Sequence, residues 1–191
     1  MRWLRSFPAR MPHGRAYVVD DLERLIIHDY DYTPLAAIRE DVCIVEWDMA
    51  VSPDDLARFE WIANGNRLDI CVAPYLLYHV GPEPVLAHRV LVEDGEGGYG
   101  ERWLREGERS CDYFGFGLIY LPWYLIREFL DSPAPARGWP LYAPGGYHDT
   151  RFTDQTFSCW IAHNRPEDVM TGRRTRVMWS VRPVHLHGPG R

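Results

Sequence analysis

The stretch VCIVEWDMAVSPDDLARF runs from Val42 to Phe59. Its opening residues, Val42–Trp47, form a short apolar run rich in Val and Ile, which predicts a buried strand. Ser52 then offers an N-cap, Pro53 a first helical residue, and Asp55 an acidic group three positions after the cap. Leu56, Phe59, Ile62 and Ala63 make an apolar stripe, and Gly65 is a stop signal. RLDICVAPYLLY, Arg67–Tyr78, reads as a second buried strand with an extension. Strand, helix and strand of these lengths predict a right-handed βαβ unit with a parallel pair.

Outward from this unit the signals are shorter. Residues 1–16 are rich in Arg and Pro and are expected to be irregular. A short helix is expected near Asp20–Leu25 and a strand near Leu25–His28. Residues 93–100, EDGEGGYG, read as a flexible acidic loop. Leu118–Leu121 is an expected strand, and Pro122 opens an expected helix to about Leu130. DSPAPARGWPLYAPGG is a Pro/Gly-rich connection. TDQTFSCWIAHN is an expected helix capped by Thr153 or Asp154, and Arg176–Leu186 an expected last strand. No internal repeat or boundary interrupts residues 1–191, so one α/β domain is expected.

Composition narrows the chemistry. The chain is 46% hydrophobic and 25% charged, as ordinary globular domains are. A net charge of −6 disfavours nucleic-acid binding driven by overall charge. All 21 basic residues are Arg. Without Lys there is no Schiff-base chemistry and no P-loop lysine, so a phosphate must be met by Arg, backbone N–H groups or a metal. Cys43, Cys71, Cys111 and Cys159 are widely spaced, which predicts free thiols in a reducing, cytoplasmic setting. MRWLRSFPARMPHGR has no apolar core of a signal peptide, and no apolar run approaches the roughly 18 residues of a membrane span.

Several residues are candidates for a site. Glu46 and Asp48 alternate at the end of the first expected strand, so both can face one way. The carboxyl edge of a parallel sheet is where open α/β sheets bind ligands. Two carboxylates there suit Mg²⁺ or Mn²⁺, or Asp48 merely aids the turn. His185 and His187 in VHLHG have the same spacing; one imidazole can join the carboxylates, or the pair belongs to a frayed tail. Gly115 and Gly117 in YFGFG permit close approach of a backbone or ligand, or mark a bulge needed for packing. HDTRFTD supplies Asp149 and Asp154 as candidate general bases, with Asp154 alternatively only a cap.

In order along the chain, EWDMAVSPDDL, RLDICVAPY, DYFGFGLIYLP, HDTRFTDQTF and VHLHG resemble a compact GT-A-type glycosyltransferase, family 2-like, of the small kind found in phages and actinobacteria. The resemblance spans residues 42–188 and has ExD where the family has a DxD-like motif. It implies a single-domain, Rossmann-like mixed sheet, mostly parallel and flanked by helices. It implies a nucleotide-diphosphate sugar as donor and Mn²⁺ or Mg²⁺ as cofactor. Asp48 would ligate the metal, joined by His185 or His187. Glu46 would ligate through water or contact the ribose. Gly115 and Gly117 would lie against the donor sugar, and Asp149 or Asp154 would deprotonate the acceptor. LIIHDYD, Leu25–Asp31, would stand in for the family's first strand, with Asp29 or Asp31 contacting base or ribose. The acceptor, a glycan, a protein or a modified nucleic-acid base, is left open. Two other classes fit the same residues: a metal-dependent hydrolase, and a non-catalytic sugar- or protein-binding module.

Overall fold

A computed structural model describes residues 1–8, 21–28, 30–77, 85–93, 95–96, 99–137, 139–140, 148–149, 151–164 and 175–186. In chain order it has β1 (Arg2–Pro8), β2 (Glu23–Ile27), a 3₁₀ turn at Thr33–Ala37, β3 (Val42–Glu46), β4 (Met49–Ala50) and α1 (Pro53–Gly65). Next come β5 (Ile70–Val72), β6 (Leu76–Leu77), β7 (Val85–Leu86), β8 (Arg89–Glu93), β9 (Tyr99–Trp103), β10 (Leu118–Leu121) and α2 (Trp123–Asp131). Then follow α3 (Ala134–Arg137), β11 (Trp139–Pro140), β12 (His148–Asp149), α4 (Asp154–Asn164), β13 (Thr175–Val177) and β14 (Val184–His185).

The core is a six-stranded sheet in the order β13-β5-β10-β3-β1-β2. All neighbours pair in parallel except β10, which runs against both β3 and β5. The protein is therefore a mixed α/β domain with a mostly parallel central sheet. The expected β3–α1–β5 unit exists, but its strands are not neighbours. They run the same way with β10 inserted between them. Leu118–Leu121 is apolar at every position, which suits a strand buried on both faces whatever its direction.

Alternation along β3 explains the layers. Val42 and Ile44 face a larger core that holds Phe129 of α2 and Phe157 and Trp160 of α4. Cys43 and Val45 face a smaller core with Phe59 and Ala63 of α1. Helices thus cover both faces. Ser52 caps α1, its Oγ accepting from the Asp55 backbone N–H at 3.1 Å. Asp41 caps α2 from a distance, its Oδ1 accepting from Trp123 N–H at 2.8 Å. Thr153, not Asp154, caps α4: its Oγ1 accepts from Thr156 N–H at 3.1 Å.

Three expectations are corrected. Residues 2–8 are not irregular; they form β1, a central strand between β2 and β3. Arg2, Arg5 and Pro8 disguise it. Arg5 is buried because its guanidinium has partners: Nη1 donates to Glu46 O at 3.1 Å and to Met49 O at 3.0 Å. The segment from Glu23 is strand rather than helix, since it pairs with β1 over five residues. Of the expected loop 93–100, Glu93, Tyr99 and Gly100 belong to the β8–β9 ladder, and residues 94, 97 and 98 lie outside the described residues. The long strand expected over Arg176–Leu186 is two short ones. A turn closed by Val181 N–H to Met178 O sends the chain from the sheet to β4.

All four cysteines are buried and unbridged. Among the described residues, no helix is long and apolar enough to cross a membrane.

Candidate functional site

The site grows from the carboxyl end of β3. Glu46 is the last residue of that strand and continues the face of Val42 and Ile44 toward α4. Its backbone N–H donates to Gly117 O at 2.8 Å. Its Oε1 accepts from the Tyr32 hydroxyl at 2.7 Å. Burial pushes the Glu46 carboxyl up to about 8, and the charges of Asp154 and Asp48 push the same way. The Tyr32 hydrogen bond and His185 oppose that rise. The Glu46 carboxyl is therefore protonated more readily than an ordinary one.

Asp48 lies in the two-residue turn between β3 and β4. The Arg5 guanidinium, bonded to the carbonyls of Glu46 and Met49, grips that turn from both sides. β14 pairs antiparallel with β4, setting His185 opposite Met49, and Leu186 N–H donates to Asp48 O at 2.7 Å. This ladder brings the C-terminal VHLHG to EWDM. His185 Nε2 stands 3.2 Å from Asp48 Oδ2. Asp48 Oδ1 is buried and has no hydrogen-bond partner among the described residues. Among those residues, no three His, Cys, Asp or Glu side chains converge to hold a metal ion. The geometry supplies a pair.

Gly115 and Gly117 do meet a close neighbour, and it is Tyr75. A Cβ on Gly115 would stand 2.6 Å from the Tyr75 hydroxyl, and one on Gly117 would stand 2.6 Å from Tyr75 Cε1. The same ring stacks on His185, centroids 5.7 Å apart and planes 6° from parallel. It also meets the buried His88 edge-on, at 5.5 Å. Burial, then the charges of Glu46, Asp154 and Asp48, raise the Tyr75 phenol well above its ordinary value. Tyr30 feels the same three carboxylates, and its backbone sits in the left-handed region at φ 62°. A non-glycine residue there is uncommon and fits a constrained site.

Asp154 is the first residue of α4. Its Oδ1 accepts from Gln155 N–H at 2.7 Å, and its Oδ2 points to Gly115, 3.5 Å from where a Cβ would be. It also lines a cleft of about 410 Å³ whose wall includes Tyr75. The Tyr75 ring thus lies beside both the Asp48–His185 pair and this cleft.

Of the residues singled out from sequence, Glu46, Asp48, Asp154, His185, Gly115 and Gly117 come together here. Asp31 Oδ1 accepts from the Thr33 backbone N–H at 3.0 Å, which shapes the turn before Leu35. Asp149 is described only through its backbone, which pairs with Trp139. Asp29 and His187 lie outside the described residues. Tyr75, Tyr32, Tyr30 and Arg5 were not signalled as site residues. Only the G-x-G spacing of YFGFG announced that something must approach closely, without saying what.

No protein-family model matches the chain, and no curated protein matches it. Among solved structures, A197 from STIV is similar at 16% identity and a TM-score of 0.49, over 97% of this chain and 85% of that one. A likeness at this level says nothing of what either protein does.

Proposed function

We propose that this protein is a GT-A-like, metal-dependent glycosyltransferase that moves a sugar from a nucleotide-diphosphate donor to a hydroxyl acceptor. The observation that carries this reading is the meeting of Asp48 and His185 at the carboxyl edge of β3, 3.2 Å apart. Residues far apart in the sequence are brought together there by β4 and β14.

The donor set fits a divalent ion that shares its shell with substrate. Asp48 offers a buried oxygen without a partner among the described residues, and His185 an imidazole nitrogen. Mn²⁺ accepts such a mixed oxygen and nitrogen pair, and Mg²⁺-type sites often use one or two carboxylates with the rest from water and phosphate. A bound ion would neutralise the diphosphate leaving group, a role for which this chain has no lysine.

The remaining roles fall to residues around the pair. Glu46 contacts a ribose oxygen or reaches the ion through water. Asp154 takes the proton of the acceptor hydroxyl. That oxygen then bonds to the anomeric carbon as the carbon–oxygen bond to the diphosphate breaks, its electron pair leaving with the phosphate. Tyr75 and the Gly115–Gly117 backbone border the space between.

The reading is tested by screening nucleotide-diphosphate sugars for donor hydrolysis and thermal stabilisation, with and without Mn²⁺. A transferase gains more stability from Mn²⁺ and nucleotide together than from either alone. Stabilisation by metal alone would point to a hydrolase, and indifference to both to a binding module.

A further inference from the structure

The cleft beside Asp154 has its own chemistry. It encloses about 410 Å³, within the roughly 300–1,000 Å³ usual for small-molecule sites. Asp154 and Gln155 enter it from the first turn of α4, Arg89 from β8, and Trp103 from β9. Arg89 is fixed: its guanidinium lies 4.3 Å from the centre of the Trp103 ring. Its backbone is also held, Arg89 N–H donating to Tyr113 O at 3.1 Å and Asp112 N–H to Arg89 O at 2.9 Å. The Tyr113 hydroxyl is engaged too, accepting from the Cys159 thiol at 3.1 Å. The wall is therefore built before any ligand arrives.

We propose that this cleft is the acceptor site and that the acceptor is a neutral saccharide; the acceptor role rests on the glycosyltransferase reading, the saccharide class on the cleft itself. Among the described lining residues the charged groups are one carboxylate and one guanidinium, so neither a phosphate nor an ammonium group meets an excess of opposite charge there. Carboxylate, carboxamide and guanidinium are planar groups that bond pairs of neighbouring hydroxyls. The aromatic wall of Tyr75, Trp103 and Tyr113 suits the C–H faces of a sugar ring. Asp154 in the lining and Asp48 beside His185 place negative charge here, and that charge repels a nucleic-acid backbone.

The test is saturation-transfer NMR on the full chain with neither metal nor nucleotide present. The probes are the methyl glycosides of glucose, galactose, mannose and N-acetylglucosamine, beside a Ser/Thr peptide and 5-hydroxymethyldeoxycytidine. At least one glycoside at millimolar concentration should receive saturation, and Gln155→Ala should abolish at least half of it. Gln155 is exposed, so that variant should keep the wild-type melting temperature. Three results overturn the proposal: no glycoside binds, the peptide or the nucleoside binds as well or better, or Gln155→Ala leaves the signal intact. Because metal and nucleotide are left out, glycoside binding that persists where no donor binds would overturn the acceptor role and the transferase reading, while leaving a saccharide site.

Discussion

Gly117 and Tyr75 are built for one another: a methyl group on Gly117 would stand 2.6 Å from Tyr75 Cε1, inside any real carbon contact. The ring so placed is the one stacked on His185. Gly117→Ala should therefore do two things. It should cost about 1–3 kcal/mol in urea unfolding, the usual penalty for overpacking. It should also weaken Mn²⁺ binding through the displaced Tyr75 and His185 rings. A variant as stable as wild type with unchanged Mn²⁺ affinity would show that the ring has no fixed seat there.

Glu46 predicts a pH dependence of stability. Burial, with Asp154 and Asp48, raises its carboxyl from 4.5 to about 8 in the folded chain. A raised folded value means the native state binds more protons than the unfolded state between those limits. Its contribution to stability is then complete below about 4.5 and is lost as pH rises through about 8. Glu46→Gln removes the titration. Thermal melts between those pH limits should fall less steeply with pH for the variant than for wild type; parallel curves would mean that Glu46 titrates normally.

Arg5 should matter more than its place in an Arg/Pro-rich leader suggests. Its guanidinium holds the carbonyls on both sides of the turn that carries Asp48. Arg5→Met keeps an apolar stem of similar length and deletes those bonds. A loss of about 1.5–3 kcal/mol is expected, the range for hydrogen bonds to a charged group. Mn²⁺ affinity should drop with it. Denaturant titration and Mn²⁺ electron paramagnetic resonance on the same sample separate the two effects.

These residues also show which parts of the molecule could be read from its sequence. β3, α1, β10 and α2 were legible because a short apolar run, a Ser-Pro cap and a helical stripe are local signals. β1 was not, because a buried Arg is acceptable only when carbonyls far along the chain receive it. The antiparallel insertion of β10 was equally hidden, since an all-apolar strand does not record its direction. At the site, the spacing of Glu46 with Asp48 marked one half and the His pair the other. Their union depends on the β4–β14 ladder, two residues long on each side, too short to leave a pattern. Tyr75 was invisible for a similar reason: its contacts with Gly115, Gly117, His185 and His88 are all made across the fold.

Asp48 is the residue on which the glycosyltransferase reading turns. Isothermal titration of UDP and GDP into the Mn²⁺-loaded chain, repeated with Asp48→Ala, addresses it directly. Binding of at least one nucleotide that needs Mn²⁺, and that falls at least tenfold in Asp48→Ala, is the expected result. Nucleotide binding that ignores Mn²⁺, or that survives unchanged in Asp48→Ala, is incompatible with a metal held by Asp48 and His185.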